Sequence, residues 1–186
     1  MTVFILRSLC RVLILTLLAS QLAQAQDPKL ELHRSGVNAI DSSGWQRAVS
    51  TKGAFSILIP IPFNDYTLPS EVGAIHGIGG KSSEGIKFSV VETPVTTKTP
   101  ADLRTIPKTF ASNPANKVSD INHQSKDGVE TLNYSVSGPA SNMHARVIRV
   151  KRTLYMVSIE FPAAHKETVA AVKDKFFDSF KLKTQP

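Results

Sequence analysis

Cysteine is almost absent: the 186 residues contain one, Cys10. A single thiol cannot close an intrachain disulfide, so packing alone must stabilise whatever folds. Aromatic residues make up 7% of the chain and include one tryptophan, Trp45. Charged residues amount to 20% and hydrophobic ones to 41%, a balance that excludes a disordered polyelectrolyte. No apolar run approaches the ~20 residues that a membrane-crossing helix requires. Length sets the scale: one domain uses roughly 100–200 residues, which leaves room here for one.

The longest apolar run lies near the start and reads as an export signal. Arg7 and Arg11 supply a positive leader, Val12 to Leu18 an apolar stretch interrupted only by Thr16, and Ala23-Gln24-Ala25 the small-x-small pattern at which signal peptidase cuts. Residues 1–25 are therefore assigned to a cleaved signal peptide, and the mature protein to the periplasm or the medium. Cys10 precedes the apolar run, whereas an acylated lipoprotein cysteine follows it, so no lipid anchor is expected. Cleavage removes two arginines and no acid, which lowers the net charge of +7 by two. It also removes the last thiol, and with it thiol catalysis and cysteine metal sites.

Residues 26–44 are polar and turn-rich, as in Asp27-Pro28, Ser35-Gly36 and Asp41-Ser42-Ser43-Gly44, and have no apolar period to fix them to a core. They are expected to form a mobile lead-in, with order beginning at Trp45 and one domain running to residue 182, followed by a short tail at 183–186. Strand spacing then dominates. Phe55, Ile57 and Ile59 share one face before Pro60 and Pro62 end the run; Ile86, Phe88 and Val90, then Leu132, Tyr134 and Val136, then Tyr155, Val157, Ile159 and Phe161 repeat the pattern. Between His144 and Phe161 there is neither proline nor glycine, and Lys151-Arg152-Thr153 divides two β-rich runs, which predicts an antiparallel hairpin.

Two segments carry helical spacing instead. Thr99-Pro100-Ala101-Asp102 offers a capping threonine and a first-turn proline ahead of Leu103, Ile106 and Phe110, with Pro107 keeping that helix short or bent. From about His165 to Leu182, Val169, Val172, Phe176 and Phe180 recur at intervals of three and four opposite Lys166, Lys173, Asp174 and Lys181, with Phe177 widening the stripe. Antiparallel strands with two unequal helices packed on them define the fold class as α+β, a central antiparallel sheet flanked by helices.

Trp45 followed by Gly53-Ala54-Phe55-Ser56-Ile57-Leu58-Ile59-Pro60, then Leu154-Tyr155-Met156-Val157 after a hairpin, then Phe176-Phe177-Asp178-Ser179-Phe180-Lys181-Leu182, resembles the PsbP-like family. That family includes photosystem II extrinsic subunits, a Ran-binding relative and exported bacterial proteins. The resemblance spans roughly residues 45–182 and implies an α-β-α sandwich around one antiparallel sheet. It further implies an accessory or binding module with no catalytic motif.

Candidate chemistry is sparse. The five histidines, His33, His76, His123, His144 and His165, show no close metal-ligand spacing, so no metal or cofactor is expected. Gly77-Ile78-Gly79-Gly80 before Lys81 and Ser82 suggests a phosphate loop only superficially, because Ile75 stands where the leading glycine belongs. The stretch is read as a mobile connection between strands. No serine nucleophile box stands in strand-to-helix context, so no catalytic residue is assigned. The possible binding surface comprises Arg146, Arg149, Lys151 and Arg152 on the hairpin together with Gly79, Gly80 and Lys81. Strand alternation places Arg146 on one face and Arg149 and Lys151 on the other.

These features lead to an exported, non-catalytic accessory domain whose partner is a protein or envelope component, with no specific nucleic acid and no membrane span after leader cleavage. The alternative is a small-ligand or polyanion binder using the Gly77–Gly80 loop and the basic hairpin 146–152. A hydrolase assembled from distant residues is the third reading, and it requires a concave site holding a histidine beside a serine and an acid.

Overall fold

A computed structural model describes residues 29–33, 40–71, 73–97 and 99–183. The export signal falls outside these residues. Among them, alternating apolar positions produce eleven strands, all paired antiparallel: β1 Glu31–His33, β2 Gln46–Val49, β3 Phe55–Ile59, β4 Asn64–Leu68, β5 Ile75–Lys81, β6 Lys87–Pro94, β7 Lys117–Lys126, β8 Val129–Ser137, β9 Asn142–Val150, β10 Thr153–Phe161 and β11 Lys181–Leu182. Eight of them form a sheet in the order β1-β4-β5-β6-β10-β9-β8-β7, and three form a smaller sheet in the order β11-β3-β2. Helix α1 covers Ile106–Ala111 and helix α2 covers Lys166–Asp178. No helix among the described residues is long and apolar enough to cross a membrane.

The large sheet is buried on both faces because its strands present apolar side chains alternately to two cores. One face meets the small sheet and α2 through Phe55, Ile57, Ile78, Phe88, Val90, Tyr155, Val157, Ile159 and Phe176. The opposite face meets the α1 segment through Leu103, Leu132, Tyr134, Val136, Ala145 and Val147, with Ile106 and Phe110 packed against them. The expected α+β sandwich, a central antiparallel sheet between helices, is the architecture found.

Differences from the sequence expectation have local causes. The lead-in contributes β1, whose residues pair with Asp65, Tyr66 and Thr67. Backbone pairing holds it while Leu32 stays 65% exposed, so apolar periodicity could not reveal it. The first helical segment is capped by Asp102, which accepts from the Arg104 amide at 2.9 Å, and not by Thr99. Residues Leu103–Thr105 make a 3₁₀ turn before α1, and Pro107 sits in the first turn, where its missing N–H costs nothing.

The terminal helix stops at Asp178 instead of continuing to Leu182. Ser179 ends it: its hydroxyl donates to the Phe176 carbonyl at 2.7 Å and accepts the Leu58 amide at 2.9 Å. That bond turns the chain onto the small sheet, where Lys181 and Leu182 pair with Ser56 and Phe55. Phe180 therefore packs on Phe55 and Tyr155, at ring separations of 6.2 and 5.4 Å, and not from a helix face. Val169, Phe176 and Phe177 are buried from the helix itself, each worth about 1.5–3 kcal/mol of burial.

Candidate functional site

The hairpin forms as expected, with Lys151 and Arg152 as its two-residue turn and Lys151 at a left-handed φ of 52°. Its four cations divide into two kinds. Arg149, whose side chain is 19% exposed, donates to the carbonyls of Pro100 and, at 2.8 Å, Ala101, and pairs with Glu130 at 3.2 Å. It holds the segment leading into α1 against the sheet. Arg146 emerges on the other face, donates to the Asn133 amide oxygen at 2.8 Å and to Asp178 at 3.0 Å, and lies 5.2 Å from the centroid of Phe177. It ties the end of α2 to β8 and β9. Lys151 and Arg152 are exposed at the tip.

Gly79, Gly80 and Lys81 belong to β5, a strand inside the large sheet, so the mobile loop expected there is corrected to regular structure. Its glycines serve close approach. A side-chain carbon at Gly77 would fall within the Tyr66 ring, and one at Gly80 would strike the Pro62 carbonyl. The register then separates the two halves of the expected surface. Lys81 lies opposite Lys87, Lys87 opposite Glu160, and Glu160 opposite Met143, at the end of the β9–β10 hairpin remote from its turn. Eight residues of strand, roughly 26 Å at ~3.3 Å each, lie between that level and the tip. The structure does not bring Lys81 together with Lys151 and Arg152.

The histidines are drawn into structural pairs. Thr67 Oγ1 lies 2.8 Å from His33 Nε2 and 3.0 Å from His76 Nδ1, linking β1, β4 and β5. His123 meets Glu130 at 2.8 Å, and His165 stands 3.8 Å from Glu84. Among the described residues no three His, Cys, Asp or Glu side chains converge as metal ligands.

His144 Nδ1 lies 2.8 Å from Ser135 Oγ, and hydrogen bonds from Ser135 and Ser119 hold the Asp120 carboxyl below its usual range. Burial, and then Lys173, push the His144 imidazole down. These are the three residue types of a hydrolase, but in an order that does not make a nucleophile. Serine sits between acid and histidine, and the hydroxyl proton given to Asp120 is unavailable to His144; a triad has the histidine between the two.

An open feature lies on the α1 side, where β7 forms one edge of the large sheet. Val118 and Ile121 are an odd number of residues apart and would point to opposite faces of a regular strand. The ladder with β8 instead shifts between Ser119 and Asn122, with Asp120 in a left-handed conformation at φ 55°. Val118 and Ile121 both line a groove of about 440 Å³ with Asp102, Arg104, Pro107, Lys108 and Ala111, and Ile121 is 56% exposed. Arg104 makes side-chain and backbone hydrogen bonds to Asp102 and holds that carboxyl at about 2. On β8, buried Tyr134 packs its ring 5.8 Å from Phe110, and its hydroxyl meets no hydrogen-bond partner among the described residues. Sequence reasoning missed this groove; the odd spacing of Val118 and Ile121 within the polar stretch Lys117–Lys126 was the available signal.

No protein-family profile matches the chain, and no curated protein matches it. A search of solved structures finds the solution structure of cyanobacterial PsbP (CyanoP) from Synechocystis sp. PCC 6803, with a TM-score of 0.52 and 15% sequence identity. The match covers 80% of this chain and 98% of that one. The fold is therefore PsbP-like.

Proposed function

We propose that this chain, built on a PsbP-like fold, is an exported accessory domain that binds a protein partner or envelope component and performs no chemistry. The observation that carries the reading is the groove between α1 and β7, which leaves Ile121 more than half exposed beside an open sheet edge. The polar groups offer nothing comparable: Arg146, Arg149, His123 and Ser135 with His144 are engaged in bonds between elements of the fold. The alternative ligand site, across Gly77–Gly80 and residues 146–152, would need Lys151 and Arg152 at the hairpin turn to reach the far end of the register, while Arg146, level with Ile78, stands on β9 with β6 and β10 between and is bonded to Asn133 and Asp178.

Immobilised mature protein exposed to envelope extract tests the reading. Recovery of one partner above a control with scrambled surface charges is expected, and recovery no greater than that control overturns it. Amino-terminal sequencing of the exported protein tests the compartment, with Gln26 expected as the first residue.

A further inference from the structure

We propose that the α1–β7 groove receives an acidic, extended segment of a partner protein, which adds a strand to the β7 edge and seats an apolar side chain beside Ile121. This inference rests on the accessory-domain reading and names its surface.

Strand β7 is ten residues long and ends the order of the large sheet, and among the described residues no strand pairs with its outer side. Natural edges are commonly guarded by charges, bulges or short length. On β7 the bulge does something else. It places Asp120 in a left-handed conformation, which a non-glycine residue adopts at a cost, and brings Ile121 to the groove. The bulge's own charge, Asp120, is drawn to Ser135 and Ser119, and Ile121 is the bulge residue that lines the groove. Ile121 and Val118 with Pro107 and Ala111 form an apolar seat beside a sheet edge that no described strand occupies, the combination that strand addition uses for specificity and affinity.

Charge selects the partner. Arg104 is neutralised by Asp102 at 2.9 Å. Lys108 on the groove wall, and Lys117 and Lys126 at the two ends of β7, have no ion pair among the described residues. Against these three lysines stand two acids: Asp120, which hydrogen bonds from Ser119 at 3.1 Å and from Ser135 keep ionised within reach of Lys173, and Asp127 in the turn after Lys126, so that one positive charge is left in excess. The edge thus presents unbalanced positive charge, and a strand carrying carboxylates complements it, with an attraction that salt weakens.

The test uses the mature protein and three fluorescein-labelled ten-residue peptides: valine alternating with glutamate, valine alternating with lysine, and the acidic peptide with two central prolines. Anisotropy should show the acidic peptide binding at least tenfold more tightly than either of the others, and amide exchange should slow along β7. Ile121→Asp and Lys108→Glu should each weaken binding at least tenfold without lowering the melting midpoint, while Leu32→Asp on the opposite edge leaves binding intact. Equal binding of the acidic and basic peptides, binding insensitive to Ile121→Asp, or protection confined to β1 would overturn the proposal. A wild-type dimer that Ile121→Asp dissociates would assign the groove to a second copy and overturn it as well. Envelope capture that survives Ile121→Asp, with no peptide binding, removes the groove and leaves the accessory reading standing. Peptide binding that Ile121→Asp abolishes, with nothing captured from the envelope, supports the groove and removes that reading.

Discussion

Replacing Arg149 with methionine asks whether the hairpin cations hold the fold together or wait for a ligand. The guanidinium links three pieces: Glu130 on β8, and the carbonyls of Pro100 and Ala101 ahead of α1. Both ionic side chains are about four-fifths buried, at 19% and 21% exposure. Removing one partner of a buried pair commonly costs about 3–5 kcal/mol, because the other charge is left without compensation. Here His123 remains 2.8 Å from Glu130 and can take a share of that charge. The expected loss is therefore roughly 2–4 kcal/mol, while Arg152→Ala at the exposed turn should stay within about 0.5 kcal/mol of wild type. Urea unfolding read by fluorescence suits the comparison, since Trp45 is the single tryptophan and only 6% exposed. The double variant Arg149→Met with Glu130→Gln should recover part of the loss, as removing the second charge relieves the first defect. A cost for Arg149→Met below about 0.5 kcal/mol would refute the tie-bar role and return Arg149 to the surface available for binding.

Three further outcomes follow from the packing. Phe176→Ala empties a fully buried site whose ring lies 5.1 Å from Phe88; it should cost about 3–5 kcal/mol, and deleting the chain from residue 163 onward should abolish cooperative melting in calorimetry. Gly77→Ala should destabilise by roughly 1–3 kcal/mol in urea unfolding, because its new carbon meets the Tyr66 ring, and Tyr66→Ala in the same chain should remove most of that penalty. His144 is held neutral by burial, so its folded-state value lies below its unfolded one and the unfolded chain binds the proton first. Its contribution is therefore complete above about pH 6.5 and declines as pH falls towards the folded-state value; urea midpoints between pH 7.5 and 5.5 should fall less in His144→Gln than in wild type, and an identical fall would contradict the assignment.

Legibility followed burial. Phe55–Ile59 emerges with the boundaries that its alternation predicts, and the hairpin turns at Lys151 and Arg152, because both flanking strands carry apolar side chains on a regular period of two. β7 was illegible for the opposite reason. It is an edge strand with mostly exposed polar residues, and the bulge at Asp120 breaks the phase of its two apolar side chains. β5 was misread because glycines at 77, 79 and 80 look like a loop, whereas two of them make room for Tyr66 and for the Pro62 carbonyl. The end of the last helix depended on a partner distant in sequence, the Leu58 amide that Ser179 accepts.

From its residues alone, this chain was committed to an α+β sandwich and to burying an apolar stripe of Val169, Val172, Phe176 and Phe180 widened by Phe177, since periodicity and hydrophobicity are local properties. Which cations are consumed by the fold, and where an apolar groove stays open, were decided by pairing between segments tens of residues apart. Arg149 finds Pro100 and Ala101, and Ile121 finds the flank of α1, only once strand register has placed them side by side. Contacts of that kind depend on distance in space, and no spacing along the chain encodes them.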